Sequence, residues 1–351
     1  ALDIYEYALL KSKQENNAIK LALIYNNLGE LYSITKQNEK AKLFYKLAID
    51  NAKENPYVLS GVYANQGDNL NTPKAIDRIP YFEKAIQTLF NTKQTTSAFK
   101  LPTLKQLENS PYKPYALIYL STLANNLVKT YEEEKKTIHL KRAKTILYKV
   151  DQLVSLMRYD SSSDQSKLFW INEGVDSYML AVKVSHLLNE PETAFYFMEK
   201  NKALLLQEKI KTLQTRLASN IPETVLEREY NLHYKRLNAY KNYQDDINNT
   251  KTQEDFVLQD KNYTVFMDSL NQHYPNYTKI KKQVGIVDFK DATTSNACFV
   301  EYILNDRDGY GLLHCDNETS LFKIDNVPEL QKQLITLKSY FTSPVLNTTE
   351  K

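Results

Sequence analysis

Glycine, cysteine and tryptophan are all scarce in this chain of 351 residues, which holds seven, two and one of them. A chain of this length with average usage would carry about 25 glycines. The seven here are scattered singly, apart from one Gly-x-Gly at Gly309 and Gly311. Doubly wound nucleotide-binding sheets and TIM barrels need glycine at their phosphate turns and tight loops, so both are excluded. Two cysteines cannot build a disulfide framework. No stretch approaches the ~18 consecutive apolar residues that a membrane-crossing helix needs. Charge of one sign is lacking too. Forty-five Lys and Arg against 42 Asp and Glu leave +3, which argues against a nucleic-acid surface. The five histidines are too dispersed to propose a metal site, and no phosphate-binding loop implies a cofactor.

What the chain does have is repetition. Tyr25-x2-Leu28-Gly29-x2-Tyr32 is followed by Ala41-x3-Tyr45-x2-Ala48, and Pro56 closes the segment. Gly29 and Ala41 are small where two antiparallel helices must approach closely. Leu28, Tyr32 and Tyr45 supply the apolar stripe, and Thr35 to Asn38 make a polar turn. Phe44 to Ile49 recurs as Tyr81 to Ile86, displaced by 37, and Tyr5-x2-Ala8-Leu9 matches Tyr45-x2-Ala48-Ile49 at a displacement of 40. The chain therefore reads as opening on the second helix of a repeat. With Ala1 in place of Met, this predicts a piece cut from something longer.

Residues 91–114 carry Thr, Ser and Pro and read as a break or insertion. Apolar periodicity then predicts helices over 115–131 and 138–157. A third runs through Leu168 to Leu187, with Asp164 as its N-cap, and a fourth covers Ala194 to Leu206. From Pro222 to about Tyr274 the pattern is long, charged and heptad-like, interrupted over Asp245–Lys251, which predicts a projecting helical hairpin. The pattern then changes to short, apolar, β-prone runs. Residues 297–304 and 310–315 read as strands around an Asp306-Arg307-Asp308-Gly309 turn, 320–324 as a third strand, and 328–340 as a helix. The fold expected is mainly α: a helical-hairpin solenoid over 1–217, a long helical hairpin over 218–284, and an α/β segment over 285–351.

The spacing around Tyr25–Ala48 resembles the tetratricopeptide signature, with Tyr where Trp is usual. The order of Tyr25–Ala48, Ala194–Leu206, His273-Tyr274-Pro275-Asn276-Tyr277 and the Val300-Glu301-Tyr302 strand resembles bacterial proteins in which such repeats precede a CHAT domain, a caspase-related cysteine peptidase. The resemblance implies that 285–351 is only the start of that domain. The family's peptidase dyad lies on a His-Gly turn and a Ser-Ala-Cys strand end. None of His139, His186, His233, His273 and His314 precedes Gly, and neither cysteine follows Ser-Ala. No catalytic residue is carried over, and the chain is expected not to be an enzyme by itself.

Other chemistry has plainer explanations. His314 and Cys315 are adjacent on a strand and point to opposite faces, so they cannot hydrogen-bond directly. Cys298 and Cys315 are expected to be buried thiols behaving as small hydrophobes, although a hairpin could set them opposite each other. Glu132-Glu133-Glu134 is expected to be a solvated helix end, and Lys279-Ile280-Lys281-Lys282 plain surface. The 26 tyrosines are read as core packing with the hydroxyl reaching an edge.

The expected function is that of an interaction scaffold, its partner an extended peptide or helix held on the concave face lined by first helices. In the well-defined repeat that face carries Asn26, Glu30 and Ser33, one helical turn apart. By resemblance, the partner would regulate or be presented to an attached peptidase. The alternative is a small cysteine hydrolase built on residues 285–351. Neither nucleic acid nor a membrane segment is expected, and of the compartments the cytoplasm is favoured over export.

Overall fold

The protein is described here from a computed structural model, covering residues 2–53, 55–90, 99–160, 164–202, 221–245, 249–275, 286–293 and 298–342. It is mainly helical. The helices are α1 (Leu2–Gln14), α2 (Ala18–Ile34), α3 (Asn38–Ala52), α4 (Pro56–Asp68) and, after a single 3-10 turn (Ala75–Arg78), α5 (Ile79–Leu89). They continue as α6 (Leu104–Asn109), α7 (Lys113–Glu134), α8 (Thr137–Asp160), α9 (Asp164–Leu188) and α10 (191–202). Then come α11 (Glu223–Asp245), α12 (Thr250–His273), α13 (Phe289–Thr293), strands β1 (Phe299–Leu304), β2 (Gly309–Cys315) and β3 (Glu318–Ile324), and α14 (Val327–Thr342). The helix expected over 194–206 is described only to residue 202, and the Lys279–Lys282 patch lies outside the described residues. So do Asn276 and Tyr277. The 91–114 segment holds one element that periodicity could not reveal: α6, nucleated by a capping box in which Thr103 and Gln106 bond each other's backbone N–H groups.

The helices stack as antiparallel neighbours, α2 on α3, α4 on α5, α7 on α8 and α8 on α9. Asn17 and Asn55 start α2 and α4 by accepting the Lys20 and Val58 N–H groups at 2.9 and 3.0 Å. The turns between pairs use left-handed Asn16, Lys36, Lys135 and Asn189, so the chain closes its hairpins without glycine. No described glycine has positive φ. Glycine serves close approach instead. A Cβ on Gly29 would lie 2.8 Å from the Tyr45 ring, and one on Gly67 would lie 2.9 Å from the Tyr81 Cβ and 3.0 Å from the Phe82 ring. The same ring-against-glycine contact thus recurs 37–38 residues on.

One apolar core runs from α4 to the sheet. Leu117, Leu120, Leu123 and Leu127 of α7 interdigitate with Leu140, Ile146, Leu147 and Val150 of α8, all buried. Asp151 enters this core as a charge and is satisfied there. Its two oxygens accept the Tyr178 and Tyr196 hydroxyls at 2.7 and 2.6 Å, and Lys200 Nζ stands 3.3 Å away. That network ties α8, α9 and α10 together.

The sheet is antiparallel in the order β1-β2-β3, with Glu301 opposite Leu312 and Gly311 opposite Phe322. Its inner face, Ile303, Tyr310 and Leu312, joins the helical core. His186 and Phe195 of the array pack against Tyr310 and Phe299 at centroid separations of 5.4 and 5.9 Å. Glu301, on the same inner face, pairs with Lys202 of α10 at 2.8 Å. Burial pushes the Glu301 carboxyl above its ordinary value, and Lys202 opposes that shift. The outer face presents Val300, Tyr302, Leu313 and Phe322. Gly309 starts β2 and is not part of the turn, which Asn305 closes by accepting the Arg307 and Asp308 N–H groups on its side-chain oxygen.

The α11–α12 hairpin is antiparallel and laced across its length. Tyr243 stacks on Phe256, Arg236 pairs with Asp260 at 2.6 Å and lies over Tyr263, and Arg228 lies over Phe266.

The glycine contacts give a discriminating prediction. Gly29→Ala and Gly67→Ala each force a ring or a backbone to move and should lower stability by about 1–3 kcal/mol. Gly61 is also helical, but a Cβ there meets only the Tyr119 hydroxyl, at 3.8 Å. Gly61→Ala should therefore raise stability by about 0.5–1 kcal/mol. Urea unfolding midpoints of the three variants check this, and equal effects at all three positions would contradict it.

Candidate functional site

The helical period sets Asn26, Glu30 and Ser33 on one side of α2. Because Gly29 has no side chain, the Tyr45 ring lies flat on α2 and its hydroxyl emerges between the two helices. There it donates to the Asn65 carbonyl, 3.4 Å away. Burial pushes the Tyr45 hydroxyl up to about 12, the neighbouring Ser33 and Asn69 side chains oppose the shift, and the negative charges of Glu30 and Asp68 add to it. They occupy the same place in successive repeats, as do Tyr25 and Tyr63, and Gly29 and Gly67, each pair 38 residues apart.

Asp68 is held at a disadvantage. Its residue surface reaches solvent, yet desolvation of the carboxyl pushes it above the ordinary aspartate value, and Glu30 pushes it further. The Arg78 guanidinium, whose Nη2 also donates to the Leu70 carbonyl at 3.2 Å, opposes the shift more strongly than Glu30 adds to it. Asn26, 8% exposed, lies one turn before Glu30, and its Oδ1 has no hydrogen-bond partner. A buried amide oxygen left unpaired costs about 1–3 kcal/mol.

Beside this polar seam stands a group of tyrosines from α4 and α7. Tyr57 stacks on Tyr112 at 5.0 Å, meets Tyr115 edge-on at 4.8 Å and donates its hydroxyl to that of Tyr115 at 2.6 Å. Burial pushes the Tyr119 hydroxyl up to about 12, with Ser60 opposing the shift and Tyr115 and Asp68 adding to it. Tyr115 is 38% exposed, and Leu23 and Asn27 of α2 also face solvent. The first helices of neighbouring pairs thus carry carboxylates, an orphan amide oxygen and an open aromatic ring.

Of the three residues singled out from sequence, Glu30 and Ser33 are brought together around Tyr45, and Asn26 lies beneath the same face. Asp68 and the four tyrosines escaped notice. Displacing Glu30 by the repeat length would have found Asp68.

Other clusters resolve differently from expectation. Cys298 and Cys315 are joined as a disulfide between directly opposed strand positions, Cα atoms 4.3 Å apart, and are not the free apolar thiols anticipated. The strand register that sets Phe299 opposite His314 also sets the two cysteines opposite each other. His314 points to the inner face, with Nδ1 2.8 Å from Thr319 Oγ1. The glutamates ending α7 are not merely solvated. Glu132 pairs with Lys183 at 2.7 Å, Glu133 accepts the Ala75 N–H at 3.2 Å, and Glu134 pairs with Lys136 at 2.8 Å. They clamp the end of α7 to its neighbours. Among the described residues, no three His, Cys, Asp or Glu gather as metal ligands, and no helix is long and apolar enough to cross a membrane.

Comparison with protein-family models, curated proteins and solved structures finds no match to this chain. The reading of the site therefore rests on its own geometry.

Asp68 makes that reading measurable. A carboxyl raised above its ordinary 3.8 stabilises the fold fully below that value and loses the contribution as pH rises through its folded value. At neutral pH the fold carries the Asp68 charge at a loss, with Glu30 repelling it and Arg78 attracting it. Asp68→Asn should raise Tm at pH 7, and the gain should shrink as pH falls toward 3.8. An unchanged or lower Tm at pH 7 would remove the electrostatic argument.

Proposed function

We propose that this protein is an interaction scaffold, holding a peptide or helix of a partner on the face shared by α2, α4 and α7. The observation that carries the reading is the open surface of the first helices, where Leu23 and Asn27 of α2 and Tyr115 of α7 face solvent and offer aliphatic, amide and aromatic surface. Tyrosine suits such a role because it offers large rigid contact area with a polar tip.

The array is proposed to be of tetratricopeptide type. In support, Tyr25, Gly29, Tyr45 and Ala48 recur as Tyr63, Gly67, Phe82 and Ala85, and the glycines meet aromatic rings in both pairs. Service to an attached caspase-related peptidase rests on the sequence resemblance. No observation favours the alternative of a cysteine hydrolase. Its only two candidate nucleophiles are bonded to each other, and the neighbouring His314 is engaged with Thr319.

The test is selection of peptides from a random display library on the immobilised full chain. Selected peptides are then measured against Asn27→Trp and Gly61→Trp, which fill that surface without touching its carboxylates. Binding that survives in the wild type and falls at least about tenfold in both variants supports the scaffold. Binding equal in all three, or no enrichment at all, contradicts it.

A further inference from the structure

The two edges of the small sheet are treated differently. β3 lies against α9 and carries Lys323, a charge of the kind that discourages strand addition. β1 has no such guard. Phe299–Leu304 holds no lysine or proline, and its pairing with β2 runs without a bulge. We infer that β1 pairs antiparallel with β1 of a second copy of this chain, about a two-fold axis at Tyr302. The two sheets then become one of six strands. This site is separate from the face shared by α2, α4 and α7 and does not depend on the scaffold reading.

The turns fix which backbone groups face outward. Asn305 donates its N–H to the Asp308 carbonyl at 3.0 Å, and bonded and non-bonded positions alternate along the hairpin from there. Left-handed Asp316 and Asn317 make the two-residue turn into β3, which commits Gly309, Gly311, Leu313 and Cys315 to β3. Tyr310, Leu312 and His314 are thereby left for β1, where they bond Ile303, Glu301 and Phe299. Val300, Tyr302 and Leu304 turn their N–H and C=O groups to the open side. No hydrogen bond from a described residue reaches those groups. α14 bonds only beyond the strand, where Gln331 donates to the Asn305 carbonyl at 3.1 Å. A row of unpaired backbone groups on a regular edge is a template for another strand.

The backbone alone would accept any strand, but this one is its own complement. Turned about Tyr302, a second β1 sets its Leu304, Tyr302 and Val300 opposite Val300, Tyr302 and Leu304. Each of these pairs exchanges both of its hydrogen bonds. The side chains that meet are apolar and are 47%, 55% and 37% exposed at Val300, Tyr302 and Leu304 of the single molecule. Charge agrees with this register. Glu301, the one charge of β1, is buried on the inner face and already paired with Lys202 at 2.8 Å. Across the axis it stands opposite Ile303 of the copy, so no carboxylate faces its twin. Three side chains per molecule make a contact smaller than the ~1,200 Å² of standard interfaces, so dissociation in the micromolar range is expected.

Sedimentation equilibrium of the full chain over about 1–100 µM reads the association. The wild type should pass from monomer to dimer across that range. Tyr302→Pro removes an outward N–H that β2 does not use and should raise the dissociation constant at least about tenfold. Ser320→Lys, exposed on β3, should leave it unchanged. Circular dichroism confirms that both variants are folded. A second measurement does not rely on proline. Tyr302→Cys should be captured as a disulfide-linked dimer on mild oxidation, because bonded antiparallel positions lie about 5.5 Å apart. Ser320→Cys should not be captured. A monomer at every concentration, a dimer indifferent to Tyr302→Pro, or equal capture at both cysteines overturns the inference. None of these outcomes bears on peptide binding at the α2–α4 face.

Discussion

Everything on the candidate face depends on an aromatic ring lying where a glycine has no side chain. With Gly29 under Tyr45 and Gly67 under Tyr81 and Phe82, paired helices come close enough for one helix's ring to rest on the other's backbone. The ring fills the gap that would otherwise separate them, and protein interiors tolerate little empty space. That close approach also fixes rotation. It sets the Tyr45 hydroxyl against the Asn65 carbonyl of α4. A glycine-poor chain thus spends glycine on packing and leaves its turns to left-handed Asn and Lys.

The same economy governs the rest of the molecule. Buried charges are met by partners. Asp151 is met by two tyrosines and a lysine, and Glu301 by Lys202. These networks join helices to one another and the array to the sheet. The side-chain oxygens of Asn26 and Asn201 stand in contrast, buried with no hydrogen-bond partner.

Much of this was legible in the sequence. The aliphatic stripes of α7 and α8 are long and uninterrupted, so their period announced both helices, and β1 to β3 declared themselves as short apolar, β-prone runs around a turn. The second repeat was only half visible. Its Tyr63 and Gly67 keep the spacing, but Gln66 and Leu70 stand where the first copy has Leu28 and Tyr32, which blurred the pattern and hid Asp68. The cysteine pairing depends on the strand register, which the turn closed by Asn305 sets and which the Asp306–Gly309 turn signal did not define to the residue. Short α6 is defined by a cap and not by periodicity, so the prolines around it masked it. The orphaned oxygen of Asn26 could not be read at all, because burial without a partner is a property of three dimensions.

The most direct measurement is the location of a bound peptide on the surface. A photoreactive benzoylphenylalanine placed at Asn27, exposed beside the seam, should crosslink a peptide selected on the full chain. The same probe at Leu43, exposed on the far helix α3, should not. Labelling from Asn27 alone is the predicted result. Labelling from Leu43, or equal labelling from both, would place the ligand elsewhere and contradict the role given to the α2–α4 face.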